Sequence, residues 1–286
     1  MARSEIKNVA VLGTGVLGSQ IIYQTAYHGF RVTAYDIDEA ALDLARQRLT
    51  GYAAAYPSEM PQADAARASA VPEDITYTTD LELAAADADL VIEAVPEYLG
   101  LKQDTFRKLA RVAPPKTIFA SNSSTLLPSQ IKDSTNRPDR YLHLHFANHI
   151  WVRNVAEIMG SPDTDPGVFE RVVAFAEDIG MVPIEVQKEE PGYVLNALMV
   201  PFLQAAGGLI ADDVASPETV DATWRIGAGS PLGPAQYFDI IGLNTVYAIA
   251  VSSEDERQQR FAAHLKEKYI DKGNLGVTTG QGFYTY

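Results

Sequence analysis

The sequence predicts a doubly wound, mostly parallel α/β sheet followed by an all-helical domain. Three observations predict it. Residues 8–36 read as strand, glycine turn, helix, strand, acid. Strand-like runs then alternate with helical segments as far as Val186. Near residue 188 that alternation stops, and only helical patterns follow until the very end.

The first unit is the most informative. Val9, Ala10, Val11 and Leu12 form an apolar run closed by Gly13, which suits a short buried strand. Gly13, Gly15 and Gly18 stand in the spacing G-x-G-x-x-G. An apolar-periodic segment over 16–26 reads as a helix stopped by Gly29. A second strand pattern, 31–35, ends at Asp36. Gly13 permits the tight turn out of the strand, Gly15 lets a pyrophosphate approach the backbone, and Gly18 lets helix and strand pack closely. The helix N-terminus offers free N–H groups and a positive dipole end to phosphate. Asp36 lies 18 residues past Gly18, where a carboxylate accepts both adenosine ribose hydroxyls and repels a 2′-phosphate. The expectation is a dinucleotide-binding Rossmann domain taking NAD(H) over NADP(H). The bland alternative is a doubly wound domain that has lost its nucleotide.

The later elements follow the same alternation. Residues 38–56 read as a helix with Asp38 as N-cap, and 57–72 as loop or irregular helix. Strand patterns over 75–79 and 90–95 flank a short helix, 81–86, capped by Asp80. A helix over 99–112 ends at Pro114-Pro115. Strands are expected over 117–120, 140–146, 156–159 and 182–186, with a helix over 166–179 before the last. Helices over 193–212, 217–226, 234–250 and 254–269 make the second domain. The expected domains are therefore 1–188 and 189–286. The second has long apolar faces for its size, which packing on the first domain or on a second copy of the chain would cover.

Composition excludes several function classes. The net charge of −14 argues against nucleic-acid or anionic-membrane partners, which need basic surface. The absence of cysteine excludes disulfides, thiolate metal sites and cysteine nucleophiles. Residues 1–7 carry no apolar signal core and no apolar run approaches membrane length, so a soluble cytoplasmic protein is expected.

Ligands of such a sheet bind outside the carboxyl ends of its strands. That directs attention to 13–18, Asp36, 93–97, 121–125 and the segment around His145. The polar run Ser121-Asn122-Ser123-Ser124-Thr125 reads equally as a helix cap or as ligand contact. His143 and His145 are two apart, so a strand turns both to one side. With His149 they raise three readings. One is a metal site, which lacks an obvious fourth ligand unless Glu157 serves. Another is a pair of satisfied core histidines. The third is a general acid/base aimed at a nicotinamide and oriented by Glu157 on the neighbouring strand.

At these residues the chain resembles the L-3-hydroxyacyl-CoA dehydrogenases, and within them the bacterial diketoreductase branch. The resemblance runs through Gly13-Thr14-Gly15-Val16-Leu17-Gly18, Val91-Ile92-Glu93-Ala94-Val95-Pro96-Glu97, Ser121-Asn122-Ser123-Ser124 and His143-Leu144-His145-Phe146. It continues with Glu157, Gly192-Tyr193-Val194-Leu195-Asn196, Gly227-Ala228-Gly229, Leu232-Gly233-Pro234 and Gly280-Gln281-Gly282-Phe283-Tyr284. It implies His145 as catalytic acid/base and Glu157 as its ion-pair partner. Ser124 and Asn196 would bond the substrate oxygen or orient the base. Glu97, Lys102, Ser124 and Asn148 would line the nicotinamide half of NAD, beyond the Gly13, Gly15, Val16, Leu17 and Gly18 loop. The reaction implied interconverts 3-hydroxyacyl and 3-ketoacyl compounds by hydride transfer with NAD(H), in a homodimer.

The departures concern the substrate. Ala147-Asn148-His149 stands where usual members have Phe-Asn-Pro, and Trp151 and Arg153 are unusual there. The region 52–72 is often lysine-rich in the family, where it contacts CoA, but here Arg67 is its sole basic residue. A polyanionic CoA tail needs cations. A small free 3-keto or 3,5-diketo acid or ester is therefore the better expectation, with Arg153 as carboxylate anchor or else a plain surface charge. The competing readings are metal-dependent chemistry at His143, His145 and His149, and an NAD-responsive binding protein without turnover.

Overall fold

The computed structural model describes residues 4–286. Two compact units divide the chain, Met1–Val194 and Leu195–Tyr286. The division falls slightly later than the expected boundary near 188. Tyr193 is buried against the first unit, with its hydroxyl donating to the Ser123 carbonyl at 2.6 Å. The linker thus ends inside the first unit's packing.

Among the described residues, eight strands form one sheet in the order β3-β2-β1-β4-β5-β6-β7-β8. They are β1 (Asn8–Leu12), β2 (Arg31–Tyr35), β3 (Thr76–Thr78), β4 (Leu90–Glu93), β5 (Ile118–Ser121), β6 (Tyr141–Phe146), β7 (Val155–Gly160) and β8 (Val182–Val186). The β6–β7 pair is antiparallel and every other neighbouring pair is parallel. The winding reverses between β1 and β4, which places the ligand crevice at the carboxyl ends of those strands.

Alternation along β1 explains the three layers. Val9 and Val11 face one core with α1 (Val16–Tyr27), α2 (Glu39–Glu59) and α7 (Pro166–Asp178). Ala10 and Leu12 face the other with α4 (Leu81–Ala85), α5 (Leu99–Val112) and α6 (Pro128–Ile131). Asp38, Asp80 and Asp165 accept first-turn N–H groups of α2, α4 and α7, as Asx caps do. Of the loop or irregular helix expected over 57–72, the structure has the broken helical form. Helix α2 continues through Pro57 to Glu59, and α3 (Ala65–Ala70) follows, capped by Asp64. Pro57 has no N–H, so the Ala53 carbonyl loses its ladder bond in the last turn of α2.

The second unit is helical: α8 (Leu195–Ala211), α9 (Pro217–Ala228), α10 (Pro234–Ile241), α11 (Leu243–Val251) and α12 (Glu256–Lys268). The single helix expected over 234–250 is two helices. Gly242 has φ +92°, outside the helical region, and breaks the ladder. Among the described residues no helix is long and apolar enough to cross a membrane.

Candidate active site

The glycine loop has the shape its spacing predicts. Gly13 has φ +94°, and a Cβ there would sit 2.7 Å from the Ala94 carbonyl oxygen. At Gly18 an added Cβ would meet the Gly13 carbonyl at 2.0 Å, so helix and turn can only touch without side chains. A Cβ on Gly15 would meet nothing within 4 Å. Helix α1 begins there with no side-chain cap and no acidic residue in its first turn. An open backbone approach and free N–H groups fit a dinucleotide pyrophosphate.

Asp36 stands at the end of β2. Its Oδ2 accepts the Thr14 amide and hydroxyl, both at 2.7 Å, and its Oδ1 accepts the Ile37 amide at 2.8 Å. The carboxylate therefore shapes the glycine loop. Asp36→Ala should raise the NADH KM about tenfold or more, since bonds to a charged group contribute on the order of 1.5–3 kcal/mol. Preference for NADH over NADPH should fall with it, because the repulsion of a 2′-phosphate is gone. Comparing kcat/KM for the two cofactors checks this, and an unchanged ratio would contradict the ribose assignment.

Four strand ends then build the chemistry. His145 on β6 lies opposite Glu157 on β7 in the antiparallel register, and both are buried. His145 Nδ1 contacts Glu157 Oε2 at 3.0 Å. A carboxylate only accepts, so Nδ1 carries the proton and Nε2 is left facing outward. Nε2 lies 3.2 Å from Ser124 Oγ. The Val194 amide donates to Glu157 Oε1 at 3.0 Å, which helps fix the carboxylate.

The Ser121–Thr125 run is organised by glutamates. Glu97 Oε1 accepts the Ser123 hydroxyl at 2.5 Å, the Ser124 and Thr125 amides at 2.9 Å each, and the Thr125 hydroxyl at 3.0 Å. Burial would raise the Glu97 pKa, but these hydrogen bonds and the Lys102 ammonium outweigh it and hold the carboxyl at about 2. Lys102 Nζ lies 3.3 Å from Glu97 Oε2, 2.7 Å from Glu93 Oε1 and 3.1 Å from the Val95 carbonyl. Lys102 and Glu93 are 1% and 0% exposed, so this ammonium lies beneath the Glu97 carboxylate and faces the interior. Burial raises the Glu93 pKa against the pull of Lys102.

The three histidines do not converge. His143 touches the hydroxyls of Tyr141 at 2.9 Å and Tyr193 at 3.0 Å. Tyr193 already donates to Ser123, so it accepts from His143 Nδ1–H, and Tyr141 donates to Nε2. Burial, then the Lys102 charge, drives the His143 pKa down to about 3, which keeps this imidazole neutral. His149 instead bonds Glu59 at 2.8 Å. Among the described residues no group of His, Asp or Glu is arranged to hold a metal. His143 therefore matches the core-histidine reading, and the geometry gives the metal reading no support.

Of the other expected residues, Val16 is exposed at the start of α1 and Leu17 is half-buried against the sheet. Asn148 is exposed in the β6–β7 turn, with Oδ1 accepting from Gln20 Nε2 at 2.7 Å. Asn196 is the second residue of α8, in the second unit. Two residues of the site had no individual role in the sequence reading. Tyr193 stacks on His145 with ring centroids 4.6 Å apart and planes 11° apart, and Gln20 holds Asn148. An aromatic residue after Pro191-Gly192 gives no pattern that names its partner across the sheet. Gln20 is one of four buried polar residues of α1, with Ser19, Gln24 and Thr25, so nothing in the sequence singled it out.

Comparison with known proteins shows the family. The model of the 3-hydroxyacyl-CoA dehydrogenase NAD binding domain matches residues 8–190, and that of the 3-hydroxyacyl-CoA dehydrogenase C-terminal domain matches 192–286. A probable 3-hydroxybutyryl-CoA dehydrogenase of Bacillus subtilis is 34% identical over 285 residues, covering 99% of this chain and 98% of that protein. The human mitochondrial hydroxyacyl-coenzyme A dehydrogenase is 32% identical, over 98% of this chain and 91% of its own. A solved diketoreductase, studied for substrate-directed dual catalysis of dicarbonyl compounds, is 58% identical with a TM-score of 0.96 over 100% of both chains. A glycine loop shaped for NAD and a buried His–Glu pair facing a serine thus come with matches along the whole length, and the chain belongs to the 3-hydroxyacyl-CoA dehydrogenase family, as an NAD-dependent oxidoreductase acting on CH–OH groups.

Proposed function

We propose that this enzyme interconverts 3-hydroxyacyl and 3-ketoacyl compounds, with His145 and Glu157 as the acid/base pair. The observation that carries the reading is His145 bonded through Nδ1 to Glu157 and through Nε2 to Ser124. When bound, NAD(H) supplies or accepts the hydride at the substrate's C3. In oxidation, His145 Nε2 takes the C3 hydroxyl proton. In reduction, the protonated imidazole returns it to the carbonyl oxygen. Glu157 keeps the ring in the tautomer that leaves Nε2 without a proton, ready to accept one. Ser124, placed by Glu97, bonds the same substrate oxygen. Asn196 joins the substrate contacts on the strength of its family position. Glu97, Ser124 and Asn148 line the nicotinamide half, with Lys102 acting beneath Glu97.

We further propose a small free 3-keto or 3,5-diketo acid or ester as the preferred substrate, rather than a CoA thioester. Arg67, the sole cation of the region 52–72, is engaged by Asp74 and by the carbonyls of Ala26 and Tyr27. Glu59 adds negative charge to the same region. Arg153, exposed in the β6–β7 turn, is the proposed anchor for a substrate carboxylate. With NADH, kcat/KM should be higher for a 3,5-diketo ester than for acetoacetyl-CoA. A large advantage for the thioester would sink this part of the proposal. The domains act as an NAD-binding unit and a helical unit that forms a homodimer. Support for the dimer is the apolar surface of the second unit, where Leu198 and Ile226 are 70% and 84% exposed.

A further inference from the structure

The turn joining β6 to β7, residues 147–154, is gripped from two helices of the dinucleotide half. Gln20 of α1 donates Nε2 to Asn148 Oδ1 at 2.7 Å and accepts the His149 and Ile150 amides at 2.7 and 3.3 Å. Glu59, the last residue of α2, uses one oxygen, Oε2, to accept the Trp151 indole N–H at 2.6 Å and to bond His149 Nε2 at 2.8 Å. Trp151 is buried among Tyr23, Tyr52 and Tyr56, with ring centroids 6.0, 5.2 and 5.5 Å away. His149 itself has φ +66°, a left-handed conformation that a residue with a Cβ leaves readily unless it is held.

We propose that Glu59, together with Gln20, is a positioning device for hydride transfer, locking the β6–β7 turn so that Asn148 and the His145–Glu157 ladder keep one arrangement relative to α1. The inference rests on the roles given to His145 and Asn148 above. Its physical core is that α1 does two jobs. Its N-terminus at Gly15 receives the pyrophosphate, and Gln20, about 7.5 Å further along the axis at 1.5 Å per residue, holds Asn148. One rigid helix therefore sets the spacing between the phosphate site and the nicotinamide contact. Because Asn148 Oδ1 is taken by Gln20, its amide N–H groups are the end presented to a ligand. Glu59 closes the same turn from its far side. An ordinary surface ion pair contributes little. This carboxylate differs in serving two donors from one turn, one of them a buried indole whose N–H would otherwise lack an acceptor.

Glu59→Ala, Glu59→Gln and Trp151→Phe separate the outcomes. Single-turnover hydride transfer is followed with enzyme in excess of NADH and a 3,5-diketo ester or acetoacetyl-CoA as acceptor. ADP-ribose, the cofactor half without nicotinamide, is titrated in parallel to count folded sites. Glu59→Ala should slow hydride transfer on the order of ten- to a hundredfold, the scale of a small misplacement of reacting groups. ADP-ribose affinity should stay within about twofold, since the glycine loop and Asp36 are untouched. Glu59→Gln, which keeps one acceptor oxygen, should recover part of the rate, and Trp151→Phe should lose part of it. If Glu59→Ala does not fold, the other two variants carry the same prediction. The inference is overturned if hydride transfer per ADP-ribose site is unchanged in these variants, because the residues would then be structural only. Wild-type enzyme that leaves NADH unoxidised with both 3-keto acceptors would remove the proposed function, and this inference with it.

Discussion

His145→Gln should bind NADH normally and lose turnover by a factor of roughly 10²–10⁴, the usual contribution of a positioned general acid/base. Glutamine can donate a hydrogen bond to Glu157 Oε2, so the buried carboxylate need not be stranded. It cannot take up or release a proton at the substrate oxygen. The adenosine half of the cofactor is proposed to sit on the glycine loop and Asp36, whereas the hydrogen bonds of His145 go to Glu157 and Ser124. NADH affinity by fluorescence titration should therefore change by less than about threefold while kcat collapses, the pattern of an interaction made only in the transition state. A variant retaining near-wild-type rates would remove His145 from its role.

Lys102→Met should be the most destabilising single change in the site. It leaves Glu93, fully buried, without its counter-charge, and breaking one side of a buried ion pair costs about 3–5 kcal/mol. The melting temperature should fall on the order of 10 °C at neutral pH. The pH dependence has a definite sign. Burial already raises the Glu93 pKa, and losing the ammonium raises it further. The native state then holds a proton that the unfolded chain releases, so stability falls as pH rises and partly returns as pH drops. Thermal melts at two pH values check this, and Lys102→Met combined with Glu93→Gln should recover much of the loss. Melts that match wild type at every pH would show that the buried charge pair contributes little. Glu97 would also lose its nearest cation, so the Ser124 loop should loosen and activity fall with stability.

The legible part of this protein was local. Residues 8–36 specify strand, turn, helix and acid through short-range requirements: a positive φ at Gly13, a backbone free of side chain at Gly15, close packing at Gly18. These hold wherever the unit sits, so sequence was enough for the fold class and for NAD. The contact of His145 with Glu157 was half legible. Each lies on a strand-like run, but only the antiparallel register of β6 and β7 places one ring opposite one carboxylate. The three histidines show the limit. Spacing alone allowed a cluster, whereas burial between two tyrosines took His143 out of play and Glu59 drew His149 away.

Sequence by itself determined what is written in periodicity and backbone conformation: a doubly wound domain, its nucleotide loop, and a helical unit after it. Tertiary structure alone decided the long-range partners. Glu97 organises Ser124 from 27 positions away, Tyr193 stacks on His145, and Glu59 reaches the β6–β7 turn across 90 positions. The physical reason is that a hydrogen bond between side chains depends on where two backbones come to lie. No local pattern encodes that until the whole core has packed.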